Sequence, residues 1–319
     1  MPTREKKIKR PRIVEIDFIR GVLIWLVAVD HLFFDFYRIT SPYIYPQPLF
    51  IPPADDTLTE ILYMIGSNYW NWPLRVGFRF FCLALFFLIS GISCYFSRNN
   101  LKRGLIILGV GILISIGFYV AGIIMPDANI GQVFFGAITC FGVSILIYWL
   151  LRFLFKKICP KHESDFKWIA LGLGMIVIAV GLMFDCWNME WQGPPGQLPL
   201  NWQNFIAIII GKAQDIGHSD YMPLFPYLGF LLVGSFIGEV FYKDRKSYFK
   251  PLPKKPEKDA PKINKVAYYG GVMPYKGVKN VITFSGHYSL FFYLFHQVLL
   301  IAILGIVLLS KGYTLNLQI

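Results

Sequence analysis

Arg20 and His31 lie in one apolar stretch, Ile13 to Arg38 (IVEIDFIRGVLIWLVAVDHLFFDFYR), together with Asp17, Asp30, Asp35 and Arg38. At about 100° per residue, the eleven steps from Arg20 to His31 bring a helix back to within roughly 20° of its starting direction, so guanidinium and imidazole share a face. Asp17, Asp35 and Arg38 fall within roughly 40° of His31, whereas Asp30 points about a quarter-turn away. The spacing allows Asp17 to pair with Arg20 (i, i+3) and Asp35 with His31 (i, i+4). An imidazole with a carboxylate one turn away is a proton acceptor, and a guanidinium at the helix mouth binds anions. The plainer alternative is an ion-paired stripe that locks the helix into a bundle.

The same pattern returns near the end of the chain. GHYSLFFYLFHQ places His296 and Gln297 deep in a second apolar run, with Ser289 and Tyr293 on or near the same helical face. Two histidines at comparable depth predict a shared polar chamber, although a single histidine there could simply bond a neighbouring helix. His287 precedes that run and is expected at its cytoplasmic mouth. Between the two runs, Asp220 and Tyr221 stand before MPLFPYLG, where Asp220 either caps the following helix or binds a hydroxyl- or amine-bearing acceptor. Arg79, just ahead of another apolar run, joins Asp220, Tyr221 and Gln297 as an expected acceptor-binding residue.

These residues need a scaffold, and the composition says which kind. A chain of 319 residues with 55% hydrophobic, 17% aromatic and 16% charged residues reads as an integral membrane protein. The expected fold is all-α, a polytopic membrane helix bundle of about seven transmembrane helices with short interfacial or re-entrant helices. The spans are placed at about 13–38, 79–97, 104–125, 131–155, 168–187, 221–242 and 283–309. A basic cytoplasmic N-terminus, 1–12, precedes a single transmembrane domain, 13–319, in which 243–280 forms a mobile basic cytoplasmic loop. Leu58 to Gly66 reads as a short helix and Phe205 to Gly211 as an apolar piece too brief to cross.

Arg4–Arg12, Arg98–Arg103, Arg152–Lys167 and Lys243–Lys279 hold nearly all the Lys and Arg. All fall on one side of this topology, which sets the N-terminus inside and the C-terminus outside. The net charge of +12 therefore reports topology and not a nucleic-acid partner. The five cysteines lack metal-ligand spacing, and no metal is expected.

Four segments, IDFIRGVLIWLVAVDHLFFDFY, FFLISGISCYFSRNNLKRGL, SDYMPLFPYLGFLLVGSFIGEVFY and GHYSLFFYLFHQ, occur in this order. Together they resemble the bacterial branch of the heparan-α-glucosaminide N-acetyltransferase catalytic-domain family. The Arg20–His31 spacing is also similar to the first helix of the inner-membrane O-acyltransferases. The resemblance implies transfer of an acetyl group from cytoplasmic acetyl-CoA to a hydroxyl or amine of a sugar or envelope glycan across the bacterial cytoplasmic membrane. It implies His31 as the catalytic histidine, Arg20 in the donor site and His296 in the same chamber. One position departs: where the bacterial pattern often reads FGILH, this chain has FGAIT, with Thr139 in place of the histidine.

The expected mechanism is direct transfer, with His31, oriented by Asp35, deprotonating the acceptor; a covalent acyl-histidine is the variant. The donor phosphates are expected near Arg20 and Asp17, helped by Arg98, Lys102, Arg103 and His287, although snorkelling also explains the three basic residues at 98–103. The partners are then a small-molecule acyl donor, a glycan acceptor and membrane lipid, with homo-oligomerisation left open. The rival from another class is a proton-coupled transporter or flippase built on the same polar cavity.

Overall fold

The computed structural model describes residues 13–38, 50–53, 56–124, 133, 135–184, 220–248, 262 and 273–315. They are almost entirely helical: α1 (Val14–Arg38), α2 (Leu58–Trp70), α3 (Pro73–Phe96), α4 (Asn100–Ile124), α5 (Ala137–Ile158), α6 (Phe166–Met183), α7 (Tyr227–Phe241), α8 (Met273–His287) and α9 (Ser289–Ser310). A 3-10 helix, Pro160–Asp165, joins α5 to α6. The only described strands, β1 (Phe50–Ile51) and β2 (Thr314–Leu315), form one antiparallel pair.

Five of these segments are long and apolar enough to cross a membrane: Pro73–Phe96, Asn100–Ile124, Ala137–Ile158, Pro160–Met183 and Ser289–Ser310. Their lipid-compatible surfaces are visible in exposed side chains such as Leu113, Ile123, Met175, Ile176, Val298 and Ile306. The chain is a membrane protein of several apolar helices. α1 has the length to cross, at 25 residues, but carries Glu15, Asp17, Arg20, Asp30, Asp35 and Arg38. α7 has only 15 residues, about 22 Å at 1.5 Å each, short of the roughly 30 Å hydrocarbon layer.

Several boundaries differ from the sequence expectation for identifiable reasons. α3 starts at Pro73, not Arg79, because proline fits the first helical turn, so Arg75 and Arg79 lie within the helix. α5 starts at Ala137, after Gly136 in an extended conformation. α7 starts at Tyr227, after Pro226, and not at 221. The last expected span is two helices meeting at Tyr288; the Tyr288 N–H still bonds the Phe284 carbonyl, and its carbonyl accepts from Phe292. α8 also occupies part of the expected basic loop. The piece at Phe205–Gly211 lies outside the described residues.

The chain divides into two compact units. The first holds α1 through Leu32, residues from Tyr242, α8, and α9 through Leu304. Its helices meet backbone to backbone: a Cβ at Gly21 would overlap the Ile282 carbonyl, and one at Gly286 the Asp17 carbonyl. Small residues permit such approach where apolar solvent supplies no drive for helices to associate.

The second unit runs from Phe33 to Phe241 and takes in the chain from Gly305. There α3 packs on α7, α4 on α5 and α6 on α7. A Cβ at Gly234 would overlap the Leu88 carbonyl, and one at Gly91 the Leu231 carbonyl. Gly174 faces Gly229 across the α6–α7 contact. α2 lies against the end of α1, where Gly66 approaches Phe33 and Tyr37, and the Tyr37 and Trp70 rings stack 5.7 Å apart. Arg75, buried at 4% exposure, places its guanidinium 3.7 Å from the centre of the Trp70 ring.

The start of α2 and the end of α9 are tied down in this unit. Asp56 accepts from the Leu58 and Thr59 N–H groups, and the Thr59 hydroxyl bonds the Tyr313 phenol at 2.9 Å. α9 closes with Gly312 at φ 89°, the Gly312 N–H bonding the Leu309 carbonyl and the Tyr313 N–H the Leu308 carbonyl. That pattern is the Schellman motif, in which glycine takes the left-handed position. Burial alone would raise the Asp56 carboxyl pKa, but its hydrogen bonds with Thr59, Tyr313 and Leu58 outweigh burial and hold it below the usual carboxylate value.

Two outcomes follow from this packing. Gly234→Val should lower thermal stability in detergent by about 1–3 kcal/mol, whereas Gly172→Ala, which meets nothing within 4 Å, should leave it unchanged; equal melting curves would refute the close α3–α7 crossing. A depressed folded-state pKa stabilises above the unfolded value of about 3.9 and loses that stabilisation as pH falls through the folded value. Asp56→Asn should therefore lower the melting temperature at pH 7 and matter progressively less as pH drops below about 4.

Candidate functional site

In the first unit, the α1–α8 crossing fixes the start of α9 and so the height of His296. The His31 and His296 rings lie with centroids 4.7 Å apart and planes at 89°. His31 Nδ1 is 2.9 Å from the Val27 carbonyl oxygen, and His296 Nδ1 is 2.7 Å from that of Tyr293. A carbonyl only accepts, so each Nδ1 carries the hydrogen, and in the neutral rings each Nε2 presents a lone pair. His296 Nε2 is buried and has no hydrogen-bond partner among the described residues. The Tyr293 ring stands 5.6 Å from His296.

Arg20 Nη1 donates to Asp17 Oδ1 at 3.1 Å, one turn back on the same helix. The i, i+3 pairing legible in the spacing is therefore present. The group fixing His31 is not Asp35 but the Val27 carbonyl; a helical carbonyl one turn back is within reach of any imidazole that folds along its own helix. Asp35 is one turn further along α1, at 1% exposure, in the other unit. Gln297 follows His296 on α9 and is half-buried, and His287, at the end of α8, is exposed with its ring 4.4 Å from that of Tyr288.

Sequence reasoning missed Glu15. It is buried at 4% exposure, accepts from the Tyr248 N–H at 2.8 Å, and holds a short hydrogen bond from the Ser247 hydroxyl. An acidic residue in the first turn of α1 was visible in the sequence, but its partners are 232 and 233 positions away.

The remaining expected site residues fall in the second unit. Arg79 is half-buried on α3, while Arg98 and Lys102 are exposed around the α3–α4 turn. Arg103 folds back onto α3, bonding Ser90 Oγ at 3.3 Å and Cys94 Sγ at 3.7 Å. Asp220 caps a helix, though not the one it precedes: its Oδ2 accepts from Ala137 N–H, at the start of α5. Beside it, the Met222 N–H bonds the Phe135 carbonyl, and Tyr221 is half-buried. Thr139, at 8% exposure, packs against Gly111 of α4, so the position of the departed histidine faces a helix contact. Among the described residues no three His, Cys, Asp or Glu side chains come together as metal ligands.

The first unit thus places two imidazoles, each tethered to a carbonyl of its own helix, side by side in a chain with several helices apolar and long enough to cross a membrane. The heparan-alpha-glucosaminide N-acetyltransferase catalytic family matches residues 57–270, more than half of the chain, and the chain belongs to that family of membrane acetyltransferases. No curated protein and no solved structure matches it. The matched stretch contains Arg79, Arg98, Lys102, Arg103, Thr139, Asp220 and Tyr221; His31, Asp35, His287 and His296 lie outside it.

Removing the Asp220 carboxylate strips the α5 N-terminus of its cap. Asp220→Ala should cost about 1 kcal/mol of stability, read as a lower melting temperature in detergent; Asp220→Asn, which keeps an acceptor oxygen, should recover most of it.

Proposed function

We propose that this protein transfers an acetyl group from cytoplasmic acetyl-CoA to a hydroxyl or amine of a sugar on the far side of the bacterial cytoplasmic membrane, with His31 as the general base. The observation that supports this reading is the imidazole pair, because its tautomers are set by backbone carbonyls that aim two basic nitrogens away from their own helices. His31 Nε2 takes the proton from the acceptor O–H or N–H as that atom attacks the thioester carbonyl. The C–S bond breaks, and the sulfur leaves as the CoA thiolate. His296, edge-to-face with His31, restricts the ring rotation of the base and keeps the chamber polar. Arg20, paired with Asp17, puts a guanidinium at the helix mouth, where the anionic part of the donor would approach.

Transfer across the bilayer requires α1 and α7 to cross as well, giving seven spans with the N-terminus inside. Basic residues at 98–103, 152–167 and 243–246 cluster at helix ends that this topology places in the cytoplasm, in keeping with the positive-inside rule. A polar stripe on α1 is then the wall of a water-accessible path, the usual setting for charge within a membrane helix.

His31→Ala in reconstituted vesicles should lower acetyl transfer at least about 100-fold while leaving CoA binding within about threefold, a change worth less than 1 kcal/mol. Full residual transfer would remove His31 from the mechanism. His296→Ala should cost less, and the double variant should lose little more than His31→Ala, since residues acting as one unit are non-additive.

A further inference from the structure

The second unit contains a cluster that the histidine chemistry does not use. α4 and α5 run antiparallel, Gly104 packing on Ile145 and Leu146 while Gly111 packs on Thr139. The start of α4 therefore sits beside the middle of α5. The Arg103 guanidinium is half-buried there, and its partners are the Ser90 hydroxyl and Cys94 thiol, both neutral and both on buried residues. Arg152 is half-buried on α5 and donates to the Tyr148 phenol at 3.3 Å, itself 1% exposed. Tyr148, which holds Arg152, stands one turn beyond Ile145, and Ile145 packs on Gly104 beside Arg103, so the packing brings the two arginines to one side of the α4–α5 contact. Glu239 and Glu163 attract Arg152 from a distance, and neither forms an ion pair with it.

A guanidinium removed from water and met by neutral acceptors retains most of its desolvation cost. An anion with two or more oxygens offsets it, and the planar fork of arginine matches phosphate bidentately. The neighbouring Asn100 narrows the chemistry. It is 8% exposed, its Nδ2 donates to the Cys94 carbonyl at 2.8 Å, and its Oδ1 has no partner among the described residues. A buried acceptor of this kind calls for a donor, which an ionised phosphate oxygen does not supply and a hydroxyl or amine does.

We propose that Arg103, Arg152 and Asn100 form a recognition site for a phosphate ester that also carries a hydroxyl or amine, the two arginines taking the phosphate and Asn100 Oδ1 the donor. The nucleotide end of coenzyme A has that chemistry, as do the headgroups of phosphatidylethanolamine and phosphatidylglycerol. For the first source the inference rests on the acetyltransferase reading above; for the second it stands without it.

The full chain purified in detergent distinguishes the sources. Equilibrium binding of coenzyme A, and retention of the two phospholipids in native mass spectrometry, are compared between wild type and Arg103→Gln, Arg152→Gln and Asn100→Asp. Each substitution should weaken at least one probe about tenfold, the effect of one charge-assisted hydrogen bond. Loss of coenzyme A binding supports the site with a nucleotide occupant; loss of lipid retention with coenzyme A binding intact supports it with a headgroup occupant. Unchanged binding of both probes overturns it. Where a Gln variant does not fold, Arg103→Lys and Arg152→Lys, which keep the charge but lose the fork, decide on the same readouts. Wild type that transfers acetyl groups while no variant alters either probe would sink this inference alone. Wild type that holds lipid through these arginines but transfers nothing would sink the acetyltransferase reading alone.

Discussion

Backbone contact between α1 and α8 is the constraint on which the candidate centre depends. Gly21 against Ile282 and Gly286 against the Asp17 carbonyl leave no room for a side chain on either helix. α9 begins two residues after Gly286's neighbour His287, so the depth of its first turns is inherited from that crossing. His296 can reach 4.7 Å from His31 only because those two glycines bring the supporting helices together. The acceptors that orient the two imidazoles are helical carbonyls already present in the backbone. The site thus needs no dedicated second carboxylate to fix its tautomer.

This explains which features were legible in the sequence and which were not. Helical periodicity sufficed to put Arg20 beside Asp17 and to place His31 and His296 at similar depth, because each inference needs only 3.6 residues per turn. Periodicity could not decide between Asp35 and the Val27 carbonyl as the partner of His31, since both lie four residues away on the same helix. It also attached Asp220 to the helix that follows it, whereas the carboxylate reaches Ala137, 83 positions earlier. Glu15 with Ser247 and Tyr248, and Arg75 over Trp70, are likewise tertiary pairings that local spacing does not encode.

The helix boundaries teach the same point about proline and glycine. Pro73 at the first position of α3 extends that helix toward its N-terminus, while Pro223 and Pro226 delay the start of α7. Hydropathy alone registers all of these as one apolar run. At Tyr288 the backbone hydrogen bonds continue across the α8–α9 junction, from the Phe284 carbonyl to the Phe292 N–H.

The family match and the histidine pair are separate lines of argument, because the matched residues 57–270 exclude both histidines. What the match covers includes the α3–α7, α4–α5 and α6–α7 packing and the basic turn between α3 and α4. That stretch contains two histidines, His162, an exposed residue paired with Asp165, and His218, outside the described residues. His31 and His296 lie on α1 and α9, which flank that stretch, and their rings stand 4.7 Å apart with each Nδ1 against a carbonyl of its own helix.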